Sequence, residues 1–84
     1  MDLGVENLVC TRGIMALWSE DVDFAVFCID SIHKHLEMVY GDEKGQLNRD
    51  NLFSSFEFEP NYTKIWIITE VDGSVTTVLL PEEY

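Results

Sequence analysis

Apolar side chains recur along this chain with two different periods. Val22, Ala25, Val26, Ile29, Ile32, Leu36 and Tyr40 fall three or four residues apart, the period of one face of a helix. Asp23, Asp30, Lys34 and Glu37 fall on the opposite face. The spacing predicts a main helix over residues 20–39, with Ser19 as its N-cap. Glu20, Asp21 and Asp23 crowd its first turn, where the helix dipole favours anions. Lys34, His33 and His35 lie toward the other end, where it favours cations, and Gly41 fits just past the last turn.

From residue 52 the period falls to two. Residues 52–59, 62–71 and 74–80 read as three strands joined by Pro60-Asn61 and Asp72-Gly73. Those two loops set a definite register. Glu57 faces Lys64, Ser55 faces Trp66 and Phe53 faces Ile68; Thr69 faces Thr76, Ile67 faces Val78 and Ile65 faces Leu80. The Glu57–Lys64 opposition of charges supports it independently. Ahead of the helix, residues 8–11 read as a short strand or extended lead-in, and Thr11 caps a short helical turn over residues 12–18 despite Gly13. Residues 41–51 form a polar loop, expected to be the most mobile part. The expected fold is a single α+β domain over residues 1–84. One main helix packs on a three-stranded antiparallel meander, preceded by a short strand or helical turn.

Alternation sorts the sheet into two apolar faces. Phe56, Phe58, Ile65, Ile67, Val78 and Leu80 share the face on which the helix should sit. Phe53, Trp66, Ile68, Val75 and Leu79 share the other, edged by Tyr62, Glu57, Glu59 and Glu70. One helix covers only one of them. The second is expected either to lie under the N-terminal segment (through Leu8, Ile14, Leu17 and Trp18) or to receive a partner.

Charge changes this picture most. Five Lys and Arg stand against sixteen Asp and Glu, a formal net charge of -11. Such a surface repels nucleic acid and anionic membranes and is steered toward basic ones. No apolar run approaches the ~20 residues of a membrane span. The first six residues show no signal-peptide pattern, so the expected location is cytoplasmic.

Enzyme chemistry finds little footing. The five glycines form no phosphate-binding loop, and Cys10 and Cys28 form no zinc-type pair. They read as two reduced, buried thiols. His33 and His35 point to different faces of a helix, so they cannot chelate one ion, and they read as surface groups or cations at the helix end. A catalytic serine would need Ser54 or Ser55 placed against a histidine, and neither sits on a glycine-made elbow. No catalytic, cofactor-binding or metal-ligating residue is therefore expected.

Two stretches carry a resemblance. Thr11-Arg12-Gly13-Ile14-Met15-Ala16-Leu17 opens a helix; Ile65-Trp66-Ile67-Ile68 and Val78-Leu79-Leu80-Pro81-Glu82-Glu83-Tyr84 close the chain with an aromatic strand, a hairpin and an acidic-tyrosine ending. In these the chain resembles an uncharacterised domain family borne on bacterial plasmids and phages, although the usual acidic-histidine segment before the strand pair is missing. The resemblance implies a mobile-element origin. In size and acidity the chain is also similar in kind to the small anti-CRISPR and anti-restriction inhibitors.

Two functions compete at this point. In the first, carboxylates imitate nucleic-acid phosphates and block a basic groove of a host defence protein. The candidate residues are Glu20, Asp23, Asp30 and Glu37 on the helix and Glu57, Glu59 and Glu70 at the sheet edge. In the second, the chain is a structural or regulatory module that self-associates through Phe53, Trp66, Ile68 and Leu79, and acidity serves solubility alone.

Overall fold

A computed structural model describes residues 7–40 and 52–84. The polar segment 41–51, with Gly41, lies outside the described residues, as do residues 1–6.

The order of elements is β1 (Leu8–Cys10), α1 (Arg12–Glu20), α2 (Val22–Val39), β2 (Phe53–Phe58), β3 (Thr63–Thr69) and β4 (Thr76–Leu79), ending in a 3-10 turn (Pro81–Glu83). The class is α+β, as the periodicities predict. The expected three-stranded sheet has a fourth strand, and the single main helix has a second beside it. The sheet runs β1-β4-β3-β2 and is mixed. β1 lies parallel to β4, with Leu8 opposite Thr76 and Cys10 opposite Val78. A three-residue strand has too little pattern of its own to announce such a pairing; it is held because β4 offers a free edge.

The two hairpins keep the expected register. Glu57 faces Lys64, Ser55 faces Trp66 and Phe53 faces Ile68. Thr69 faces Thr76 and Ile67 faces Val78. The ladders close slightly earlier than the sequence suggests. After Phe58 the chain turns through Tyr62, which takes a positive φ of 59°, while the Asn61 side chain accepts from Thr63 N–H at 3.1 Å. After Thr69 the turn closes through Gly73 at φ 74°, with Gly73 N–H donating to Glu70 C=O at 2.8 Å. Gly73 meets the positive φ without the Cβ clash that Tyr62 tolerates.

The helix pair departs from expectation in three ways. α1 runs on through Ser19 and Glu20, so Ser19 caps nothing and its hydroxyl donates back to Ala16 C=O at 2.9 Å. The N-cap of α2 is Asp21, whose carboxylate accepts from Asp23 N–H at 2.9 Å and Phe24 N–H at 3.3 Å. The buried stripe of α2 is rotated from the predicted one. Phe24, Cys28, Ser31, Ile32, His35 and Val39 face the sheet, whereas Val22 is 78% exposed and Val26 is 52% exposed. Apolar residues occupy most of the circumference of α2, so periodicity alone leaves its rotation undecided.

Phe24, Cys28 and Ile32 meet Ile14 of α1 and Phe58, Ile65, Ile67 and Val78 of the sheet in one core. Leu8, Leu17 and Trp18 pack against this same core. Among the described residues, the four side chains expected to shield the opposite face of the sheet (Leu8, Ile14, Leu17 and Trp18) therefore join the core between helices and sheet instead.

Glu83 ties the 3-10 turn to the start of α1. Glu83 accepts hydrogen bonds from Thr11 Oγ1, from Gly13 N–H at 3.0 Å and from Leu80 N–H at 3.1 Å. Its carboxylate thus does at the N-terminus of α1 what the Thr11 side chain was expected to do alone. The Thr11 hydroxyl, then the Gly13 and Leu80 amides, hold that carboxyl below its ordinary range. A Cβ on Gly13 would stand 2.6 Å from Leu80 Cδ1 and 2.8 Å from Glu83 Oε1. On helix propensity, Gly13→Ala should stabilise by up to ~1 kcal/mol. We expect a lower unfolding midpoint instead, because the methyl displaces the carboxylate. In a Glu83→Ala background the same substitution should cost less. Denaturant midpoints of the two single variants and the double variant measure the difference, and strict additivity would refute the clamp.

Candidate functional site

α2 and β2 place the candidate carboxylates. Asp23, Asp30 and Glu37 recur every seven residues along α2 and are exposed, as is Glu20 at the end of α1. Seven residues of helix advance about 10 Å. Glu57 sits on β2, Glu59 in the turn after it and Glu70 just beyond β3, all exposed. Among the described residues none of these seven carboxylates is held in an ion pair or a side-chain hydrogen bond. The seven do not form one patch. Glu57 lies opposite Lys64 on the sheet face away from the helices, so the sheet itself separates it from the stripe of α2.

That outer face carries the apolar candidates. Phe53 is 52% exposed; Trp66 and Ile68 are half-buried; Leu79 is 5% exposed and belongs to the protein's interior. The rings of Phe53, Trp66 and Tyr84 form a row, with centroids 5.3 Å and 5.7 Å apart and planes tilted by 68° at both contacts. Edge-on contacts of this kind suit the ring quadrupoles. Tyr84 is the contribution that sequence reasoning missed. The 3-10 turn swings it onto Trp66 while Glu83 grips α1, so Tyr84 covers part of the outer face. Tyr84 itself remains 85% exposed.

His35 is the largest correction. It is fully buried, not a surface group at the helix end. Nδ1 lies 2.7 Å from Ser54 Oγ and Nε2 lies 2.8 Å from Thr69 Oγ1, which in turn lies 2.8 Å from Thr76 Oγ1. Burial pushes its pKa down to about 4, so the ring is neutral at pH 7. One ring nitrogen then donates and the other accepts. A serine does meet a histidine here, but Ser54 is itself buried, and the second nitrogen contacts a threonine where an orienting carboxylate would be needed. The arrangement is a closed polar seat joining α2 to β2, β3 and β4. It was hidden in the sequence because Ser54, Thr69 and Thr76 occupy apolar-face positions and look merely β-tolerant.

His33 is exposed and points away from this network. Both thiols are free; Cys28 is buried as expected, whereas Cys10 is only half-buried. Burial pushes Cys28 up to about 12, with Cys10 adding to the rise, and burial also raises Cys10. Neither is a ready nucleophile. Among the described residues no group of three His, Cys, Asp or Glu could hold a metal ion, and no helix is long and apolar enough to cross a membrane. An open depression of about 410 Å³ runs between Leu17, Tyr62–Lys64 and Leu80–Glu82. Tyr62, Lys64 and Glu82 are the titratable groups on its wall. No protein family, curated protein or solved structure matches this chain.

Proposed function

We propose that this protein is a small acidic binding protein that occupies a basic, nucleic-acid-binding surface of another protein. A host defence complex is the partner class, as for an inhibitor carried by a phage or mobile element and acting in the bacterial cytoplasm. The observation that carries the reading is the unpaired state, among the described residues, of the three carboxylates on the outer stripe of α2. Asp23, Asp30 and Glu37 stand along α2 at about 10 Å intervals. An internal network of ion pairs would have consumed that charge; free carboxylates on a rigid helix hold it ready for a cationic groove. The sheet divides the acids, so the α2 stripe is the phosphate-like element, and Glu57 serves a different contact.

The test is binding to a panel of purified guide-binding and restriction nucleases over a range of salt, with duplex DNA as competitor. The expected result is competition with DNA and an affinity that falls at least ~10-fold between 50 and 200 mM salt. The variant Asp23→Asn/Asp30→Asn/Glu37→Gln should lose most of that salt dependence. Tight binding indifferent to salt would end the charge-based reading.

A second reading has one observation of its own, the exposed Phe53 ring beside Trp66. It predicts a homodimer dispersed by Trp66→Asp. Sedimentation velocity of the two proteins separates the readings, since a monomer unaffected by the substitution removes self-association.

A further inference from the structure

We infer that the outer edge of β2 takes an extended, lysine- or arginine-bearing segment of the partner as a fifth strand; this rests on the charge-based reading above and assigns that partner a second contact.

β2 ends the sheet, with β3 on one side only. Thr69 N–H donates to Leu52 C=O at 2.8 Å, which sets the phase of the ladder. In an antiparallel pair successive residues turn their backbone groups alternately toward and away from the neighbour. Ser54, Phe56 and Phe58 therefore bond to β3, and the N–H and C=O of Phe53, Ser55 and Glu57 project from the open edge. Among the described residues nothing bonds to them there. Three donors and three acceptors thus stand in a regular row of about 13 Å.

Edges of this length are commonly blocked by lysine, proline or a bulge. Residues 53–58 contain no lysine or proline, and their pairing with β3 is unbroken. The only charge on the strand is Glu57. That carboxylate discriminates between occupants. A second copy would bring another net charge of -11 against the first. A cationic strand places its charge directly beside Glu57, on the side away from Lys64, with Glu59 following in the turn. Phe53 at the other end presents its exposed ring beside Trp66, a platform for an aromatic ring or a guanidinium. Antiparallel pairing then reads a pattern of basic residue, spacer, small polar residue, spacer, aromatic residue or arginine. Each outward position of β2 meets one of those side chains on the open face.

The probe is the peptide acetyl-Lys-Thr-Lys-Val-Thr-Val-Phe-Thr-Lys-amide. Its control carries N-methyl groups on the central threonine and on the phenylalanine, so charge is kept and strand pairing is blocked. Amide hydrogen exchange of the ¹⁵N-labelled full chain at low salt is the readout. With the unmodified peptide, exchange at Phe53, Ser55 and Glu57 should slow at least ~10-fold. The N-methylated peptide should bind about 10-fold more weakly and protect none of the three. Ser55→Pro, a substitution an edge strand tolerates on its open side, should reproduce that loss. If both peptides bind alike and the three amides stay unprotected, the edge inference is overturned while salt-dependent binding still stands. If neither peptide binds, it is overturned again, and the nuclease panel decides the charge-based reading separately. Protection that grows with protein concentration alone assigns the edge to a second copy and overturns it too.

Discussion

Acidifying this protein from pH 7 to pH 4 should remove on the order of 3 kcal/mol of stability through His35 alone. The ring sits in the fold with a pKa near 4, against about 6.5 in the unfolded chain. Between those values the unfolded state binds a proton and the folded state does not. The contribution is therefore fully present above pH 6.5 and is lost as pH falls toward 4. Opposing it, protonation of carboxylates relieves the mutual repulsion of a chain with sixteen acids. The two effects are separable, because replacing His35 removes one and leaves the other. Urea midpoints from pH 7 to pH 4 for the wild type and His35→Gln supply the comparison. The wild-type curve should fall relative to the variant's across this range. Parallel curves would mean that His35 is solvated or already charged in the fold. At pH 7 the variant should itself be less stable, since Ser54 and Thr69 lose a buried partner.

Phe58→Ala should cost about 3–5 kcal/mol, a large share of the 5–15 kcal/mol that holds an ordinary domain together. Phe58 is 7% exposed at the end of β2. Its ring meets Phe24 edge-on at 5.4 Å and Phe27 at 5.2 Å. Those contacts fasten the N-terminal half of α2 to the sheet, and with it the first carboxylates of the α2 stripe. Truncation leaves a cavity that two rigid rings cannot collapse into. Phe58→Leu keeps most of the volume and should cost much less. Phe27→Ala should also cost less, because Phe27 is only half-buried. Denaturant midpoints of the three variants test the ranking. A Phe27→Ala loss larger than that of Phe58→Ala would show that the cluster is anchored from the helix side and not from β2. On the proposed charge-based reading, binding through Asp23 and Asp30 should weaken in Phe58→Ala more than through Glu37, since the anchor lies at their end of the helix.

The sequence by itself determined what depends on neighbours in the chain. Both hairpin registers follow from turn residues and a two-residue period, and each is observed, down to Glu57 opposite Lys64. The α+β class, the existence of a long helix and the acidic surplus were legible for the same reason. The tertiary structure decided whatever joins distant segments or breaks a near-degeneracy. β1 found β4 across nearly seventy residues, and Thr11 and Gly13 found Glu83 across a similar span. No local signal encodes such meetings, because a short polar motif has many equivalent partners until the chain is compact. The rotation of α2 was settled by packing, since Val22 and Val26 compete with Phe24 and Cys28 for the core and aromatic rings bury more area. His35 was drawn inside for a related reason. Its two nitrogens are tolerable in the interior only where Ser54 and Thr69 stand ready to bond them, and that is a property of three segments at once.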